Sequence, residues 1–241
     1  MRKWKSRLLA AIVISGMAVV STGCSTFGGI LGAAPGAANA AATPAPTPTP
    51  STSLAFDSVF TDFGSVHPVV PIGENLELQL DMWTEQKTHE WYTTANKKFS
   101  FVISVFDRAV PAEAPFAQKR PVYMSNVTVT ATTSTTGGSS ATPFVLNLDP
   151  VTTTLDPEAL RSDAGLLVTS PKGGFQLEGN TIGVLTDDTY GLVLDFSMTI
   201  TVDAIGGVGG SAAGTRSVVH QPIRVAIFQP PAPTTIEGKV Q

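Results

Sequence analysis

Residues 190–203 read YGLVLDFSMTITVD, and this stretch decides the fold class of the chain. Apolar side chains occupy every second position, and mostly polar side chains occupy the positions between them. The apolar set comprises Tyr190, Leu192, Leu194, Phe196, Met198, Ile200 and Val202. Successive side chains of a strand point to opposite faces of a sheet, so a period of two indicates a half-buried strand. The stretch therefore predicts an antiparallel strand with one face on a core.

Shorter patterns of the same kind recur along the chain. Alternation or an enrichment in β-branched residues predicts further strands at 76–82, 99–106, 122–132, 144–148, 181–185 and 218–228, with 54–60 as an additional candidate. One short helix is expected at 156–161, with Asp156 as its N-cap and Pro157 at its first position. Many strands and one short helix predict an all-β domain over residues 54–231. An antiparallel β-sandwich is expected, with immunoglobulin-like topology as the leading hypothesis.

The start of the longest strand offers one cue to that topology. Asp188, Thr189 and Tyr190 resemble the tyrosine corner of immunoglobulin-like sandwiches, in which a tyrosine near the start of a strand bonds nearby backbone. An ordinary aromatic residue at a strand start is the alternative.

The N-terminus has the charge and length of an export signal. Four basic residues among the first seven precede a mostly apolar run at 8–20, which is shorter than the about 20 residues that span a membrane. Small residues then lead to Cys24, the only cysteine of the chain. The sequence Ser21-Thr22-Gly23-Cys24 resembles the lipobox of bacterial lipoproteins. Ordinary cleavage after Ala40 and an uncleaved membrane anchor are the alternatives.

The lipoprotein resemblance implies a processing pathway and a location. Residues 1–23 would be a signal peptide that is removed, and Cys24 would carry the lipid that anchors the mature chain in the cell envelope. Lipoproteins typically carry two or three acyl chains, and several chains bind a membrane stably whereas one does not. Ser25 stands where an aspartate favours inner-membrane retention in enterobacterial lipoproteins. Outer-membrane placement is therefore expected in a cell with two membranes, and otherwise the outer face of the plasma membrane.

The composition after cleavage limits the partners of the mature chain. Residues 24–241 contain 11 Lys and Arg against 19 Asp and Glu, a formal net charge of −8. This charge argues against nucleic acid as a ligand and against attraction to anionic lipid headgroups. The segment 24–53 is uncharged and rich in Ala, Pro and Thr, which predicts an extended tether of up to about 90 Å at ~3.1 Å per residue. Residues 232–241 are expected as a flexible C-terminal tail.

The residues that could carry chemistry form no recognisable motif. His67, His89 and His220 lack metal-ligand spacing, and no G-x-S-x-G nucleophile motif is present. The sequence therefore predicts no catalytic residue and no cofactor apart from a weak indication of calcium. That indication rests on aspartates in predicted loops, whose default role is to start turns. These are Asp149, Asp156, Asp187 and Asp188.

An aromatic loop is the most suggestive candidate for a binding site. Trp83, Trp91 and Tyr92 flank a polar segment that contains His89. Aromatic rings beside hydrogen-bonding groups suit a sugar or a protein partner. The structural alternative is that these rings close one end of the sandwich.

Three functional hypotheses follow from these features. The leading one is a lipid-anchored, non-enzymatic envelope protein that binds another protein, within a larger surface or secretion assembly. The second is a carbohydrate-binding module that uses the loop of Trp83, Trp91 and Tyr92. The third is a β-sandwich hydrolase, which requires paired carboxylates or clustered histidines.

Overall fold

The computed structural model describes residues 56–60, 64–205 and 214–231. Within these ranges the chain forms eleven strands, one α-helix of four residues and two 3-10 helices at Thr88–Glu90 and Phe116–Gln118. The strands are β1 Ser65–Val66, β2 Val69–Gly73, β3 Leu76–Trp83, β4 Lys97–Asp107, β5 Val122–Thr135, β6 Phe144–Leu148, β7 Arg161–Ser162, β8 Gly165–Leu167, β9 Phe175–Ile182, β10 Thr189–Val202 and β11 Thr215–Ala226. The α-helix, α1, is Pro150–Thr153. The all-β prediction is confirmed.

The strands form two antiparallel sheets. The five-stranded sheet has the order β1-β3-β4-β9, and β2 also pairs with β3. The six-stranded sheet has the order β11-β10-β5-β8-β7, and β6 also pairs with β5. All pairings between these strands are antiparallel. The predicted antiparallel character is therefore confirmed.

The strand quoted first, β10, is the spine of the six-stranded sheet. It pairs with β11 from Gly191 to Val202 on one side and with β5 from Thr189 to Val202 on the other. Its alternate side chains from Leu192 to Ile200 are fully buried, as the period of two predicts. The two sheets meet through these inward faces: the rings of Phe101 on β4 and Phe196 on β10 lie 5.1 Å apart, edge to face. The sheets thus pack face to face around one hydrophobic core.

The predicted helix at 156–161 is wrong, and the helix forms one Asp-Pro motif earlier. Asp149 caps α1 by accepting a hydrogen bond from the backbone N–H of Val151 at 2.9 Å. Asp156 makes the equivalent bond to Glu158 at 2.9 Å, but the chain turns there and enters β7 at Arg161. The Arg161 guanidinium donates hydrogen bonds to the carbonyl oxygens of Asp156 and Ala159. In a continuing helix these oxygens would accept from backbone N–H groups of the helix itself.

Two strand predictions also need correction. The strand predicted at 181–185 is the end of β9, which begins at Phe175 and stops at Ile182. Gly179 adopts a φ of 71°, and the pairing with β4 shifts register beside it, so the alternation that marks a strand is interrupted. Residues 56–60 form no strand; they run as irregular backbone beside β11. Residues 54 and 55, the signal segment, the tether and the C-terminal tail lie outside the described residues.

Candidate functional site

The aromatic loop follows β3 and divides between core and surface. Trp91 is fully buried, its ring lies 5.7 Å from that of Phe60, and its indole N–H donates to Thr84 Oγ1 at 3.2 Å. Trp91 thus belongs to the hydrophobic core, and burial removes it from the predicted ligand surface. The indole packs where a large apolar body is needed and satisfies its one donor internally.

The other three predicted contact residues keep some accessible surface. Trp83 ends β3 on the face opposite to buried Met82 and is half-buried. His89 is exposed in the 3-10 helix, and half-buried Tyr92 forms an isolated bridge with Phe228. The loop therefore places these three residues at one end of the five-stranded sheet. Because Trp91 is in the core, the predicted aromatic surface of Trp83, Trp91 and Tyr92 does not form.

The histidines lie apart and make local pairs. His67 Nδ1 lies 2.7 Å from Asp81 Oδ1, and His220 Nδ1 lies 3.4 Å from Asp195 Oδ2. The first pair is on the five-stranded sheet and the second is on the six-stranded sheet. Within the described ranges, no three or more His, Cys, Asp or Glu side chains gather closely enough to hold a metal ion.

The aspartates proposed for calcium take part in backbone turns. Asp149 and Asp156 each accept a hydrogen bond from a backbone N–H two residues later, as described above. The Asp188 carbonyl accepts from the N–H of Thr136, and the Asp187 carbonyl accepts from the side chain of Gln229 at 2.5 Å. The carboxylates of Asp149 and Asp156 thus act in turns, and Asp187 and Asp188 lie in a different loop.

A buried ion pair that sequence reasoning missed closes one end of the sandwich. Arg120 forks onto the Asp107 carboxylate, with Nη2 2.6 Å from Oδ1 and Nε 2.9 Å from Oδ2. The same guanidinium donates to the carbonyl oxygen of Glu74 at 2.9 Å. The Arg120 hydrogen bond lowers the pKa of Asp107 from 3.8 to about 2, despite the opposing effect of burial. Every bond here joins structural segments, so the pair stabilises the fold.

Lys97 is a second buried charge, and its ammonium binds backbone carbonyl oxygens. Its Nζ donates to the carbonyl oxygens of Ala95 at 2.5 Å and Gly183 at 3.0 Å, and the residue has no accessible surface. Burial lowers the pKa of Lys97 from 10.5 to about 8. The ammonium ties the start of β4 to the loop that follows β9, which is again a structural role.

A recess with mixed chemistry lies between the loop after α1 and the start of β9. Its volume is about 600 Å³. Leu155 stands at its border with 97% of its surface exposed. The lining residues, some apolar and some charged, are Val102, Thr153, Thr154, Leu155, Asp156, Pro171, Lys172, Gly173, Gly174, Phe175, Gln176, Leu177 and Glu178. They come from three distant parts of the chain, so no local sequence signal could have identified the groove.

Comparisons with known proteins add no relative. The chain matches no family model, and neither the curated proteins nor the solved structures give a significant match. In the part of the chain that the structure describes, no helix has the length and apolar character needed to cross a membrane.

Proposed function

We propose that the protein is a lipid-anchored component of the bacterial cell envelope whose β-sandwich domain binds another protein and catalyses no reaction. The observation that carries the proposal is Cys24, the only cysteine, which directly follows small residues and an apolar run of export-signal length. Exported proteins keep few free thiols because the compartment outside the cytoplasm is oxidising. Lipid modification of the thiol explains why an exported chain has a single cysteine. The domain is acidic, and its sequence shows no cluster of basic residues that would bind a membrane surface. The lipid therefore provides the attachment to the membrane.

The order of the strands supports an immunoglobulin-like topology for this domain. Immunoglobulin-like sandwiches pair their strands in the orders A-B-E and G-F-C. The orders β3-β4-β9 and β11-β10-β5 follow this scheme when the strands are matched in chain order. Tyr190 lies near the start of β10, which is compatible with a tyrosine corner, and its ring contacts Phe56 edge to face at 5.8 Å. Such domains present surfaces and loops to other macromolecules on a rigid frame.

The placement of the polar residues supports binding over catalysis. The strongest pKa shifts belong to Asp107 and Lys97, and both groups hold structural segments together. The groove beside β9, in contrast, combines apolar side chains with Lys172, Asp156 and Glu178 at an accessible position. A surface of this mixed kind suits a polypeptide partner. The carbohydrate hypothesis loses one of its two tryptophan rings with the burial of Trp91.

Membrane attachment and partner contact are tested in the same cells. We compare wild type with Cys24→Ala, and use Ser25→Ala as the matched control one residue away. After mild cross-linking, membranes are solubilised in detergent and the protein is purified together with any attached chain.

The proposal expects wild type and Ser25→Ala in the membrane fraction with one reproducible cross-linked partner, whose cross-link is weakened by Leu155→Asp in the groove. Cys24→Ala should leave that fraction and lose the partner. A Cys24→Ala protein that stays in the membrane, or a partner found equally with the groove variant, would overturn the respective half of the proposal.

A further inference from the structure

The strands at the borders of the two sheets differ in how their free edges are protected. β2 contains Pro71 and β11 contains Pro222, and a proline removes one donor that a foreign strand would use. The pairing of β9 with β4 shifts register beside Gly179, so a bulge interrupts that edge. β1 and β7 have only two residues each. These borders therefore offer little to an incoming strand.

β6 has none of these protections. Its five residues, Phe144–Leu148, include neither proline nor a charged side chain. They pair with residues 127–131 of β5 in one continuous register. Among the described residues, no strand pairs with the other side of β6. A regular, uncharged border strand presents the row of N–H and C=O groups to which an extended chain can add.

The core is incomplete beside β6. Its inward side chains, Phe144, Leu146 and Leu148, pack against the core but are only partly buried. The ring of Phe144 lies 5.6 Å from that of Phe99 on β4, so β6 packs opposite the neighbour of β9. Leu177 of β9 is partly buried in the same way and also lines the groove. Apolar side chains at every second position of an added strand would fill the open side of this core.

β6 leads directly into the wall of the groove. Asp149 follows the last residue of β6 and caps α1, in which Val151 packs against the core. The next residues along the chain, 153–156, line the groove opposite β9. The C-terminal end of β6 and the groove are thus joined by the four residues of α1 and lie on the same side of the domain.

The charged side chains around α1 and the groove are mostly acidic. Two cations of this region, Arg161 and Lys172, have contacts inside the domain. Arg161 donates to three backbone carbonyl oxygens, and Lys172 Nζ lies 5.8 Å from the centroid of the Phe116 ring. A segment that carries Lys or Arg side chains complements the exposed carboxylates. These belong to Asp149, Asp156, Glu158 and Glu178.

We propose that the partner protein adds an extended strand to the free side of β6, with apolar side chains at alternate positions and Lys or Arg at the end beside α1. The apolar side chains cover the inward residues of β6 and Leu177, and the basic end meets the carboxylates of the groove. The proposal rests on the proposed function and gives the form of the segment that is bound. A second copy of this chain is disfavoured as the occupant, because each mature chain has a formal net charge of −8.

Hydrogen exchange in the presence of a defined peptide tests the added strand. The full chain, purified in detergent, is mixed with an excess of acetyl-Lys-Val-Thr-Val-Thr-Val-Lys-amide, and exchange is followed by mass spectrometry. We expect exchange in 144–148 to slow about fivefold or more, because main-chain hydrogen bonds protect the edge, while 215–226 stays unchanged. The same peptide with Glu in place of both Lys, or with N-methylated Val and Thr amides, should give no protection.

Two variants locate the bound strand. Leu146→Asp puts a charge on the inward face of β6 and should abolish the protection. Asn147→Asp puts the same charge on the outward face as a matched control and should keep it. Thermal unfolding shows that both variants are folded, and the peptide controls test the proposal in wild type independently of them.

Three results would overturn the proposal. The first is unchanged exchange in 144–148 with the Lys peptide, or equal protection by its N-methylated form, since no strand would then pair with β6. The second is equal protection by the Glu peptide, which would contradict the assigned charge. The third is protection in wild type alone that is lost on dilution, because a second copy would then occupy the edge. The cross-linking experiment in cells uses no peptide, so it judges the proposed function separately.

Discussion

The ring of Phe56 lies directly over Gly191, on the outer face of the six-stranded sheet. A β-carbon on Gly191 would overlap the ring, so the close approach requires glycine at this position. The Arg224 guanidinium covers the same ring, with its Cζ 4.8 Å from the ring centroid. The segment 56–60 that follows the tether is thus seated on β10 and β11 before Phe60 enters the core.

Gly191→Ala should destabilise the protein by displacing Phe56. We expect a loss of about 1–2 kcal/mol in the free energy of unfolding, because the added methyl group overpacks a filled site. Denaturant unfolding measures the loss. In a Phe56→Ala background the same change should cost little or even stabilise, since alanine loses less backbone entropy than glycine. Equal costs in both backgrounds would show that the ring does not occupy this site.

Acid should weaken the clamp between Asp107 and Arg120. The pKa of Asp107 is about 2 in the folded protein and 3.8 in its ordinary state, so the carboxylate stabilises the fold fully above pH 4. That contribution, roughly 2 kcal/mol, is lost as the pH falls from about 4 to 2. Unfolding measured from pH 7 to pH 2 should show this loss in wild type and a smaller one in Asp107→Asn.

A surface pair supplies the control for the acid experiment. Arg108 Nε lies 2.7 Å from Glu77 Oε2, but both side chains are well exposed. Glu77→Gln should therefore change stability by less than about 1 kcal/mol at neutral pH. An acid profile that Asp107→Asn shares with wild type would contradict the assigned role of the buried pair.

Stability should rise with pH through the titration of Lys97. Its pKa is about 8 in the folded state and 10.5 in its ordinary state. Between these values the unfolded chain binds more protons, so raising the pH favours folding by up to roughly 3 kcal/mol. Free energies of unfolding at pH 7.5 and pH 10 should show this gain relative to Lys97→Met, in which all other groups titrate equally. A Lys97→Met variant with the same pH dependence as wild type would refute it.

The two tryptophans of the aromatic loop should respond differently to truncation. Trp91→Ala is expected to cost about 3–5 kcal/mol, because it opens a cavity in the core and leaves Thr84 without its indole donor. Trp83→Ala removes a half-buried ring and should cost clearly less. Thermal unfolding of the two variants compares them. A larger loss for Trp83→Ala would contradict the burial seen at Trp91.

The long strands could be predicted because their alternation is regular. β3, β4, β6 and β10 each alternate regularly, and the sequence analysis placed all of them. β5 was placed by its β-branched residues, although its alternation shifts by one position at the bulge between Met124 and Asn126. β9 was only partly predicted because the bulge at Gly179 shifts its side chains by one position. β1 and β7 have two residues each, too few for any periodicity.

The helix prediction failed because two segments of the chain begin with the same Asp-Pro pair. Asp149-Pro150 and Asp156-Pro157 both start with an aspartate that accepts a backbone N–H, but only the first continues into a helical turn. After the second motif the chain enters β7, and the Arg161 side chain binds carbonyl oxygens of both segments. The prediction that Trp91 belongs to a ligand surface failed for a similar reason. Only the packing of Phe60 on Trp91 shows which tryptophan ring is in the core.

The groove beside β9 and its free edge were beyond sequence reasoning. The groove joins segments near positions 102, 155 and 175, and within the described ranges β9 pairs with a strand on one side, β4. Both are products of the strand order, which depends on pairings between distant residues. The N-terminal export signal is a local pattern that lies outside the described residues, and it stays a prediction.

The intact mass and N-terminal residue of the protein extracted from membranes test the central claim most directly. The account predicts a chain that begins at Cys24 and carries the added mass of two or three acyl chains, and a Cys24→Ala protein without that mass. An unmodified chain that begins at Ala41, or one that retains residues 1–23, would contradict it.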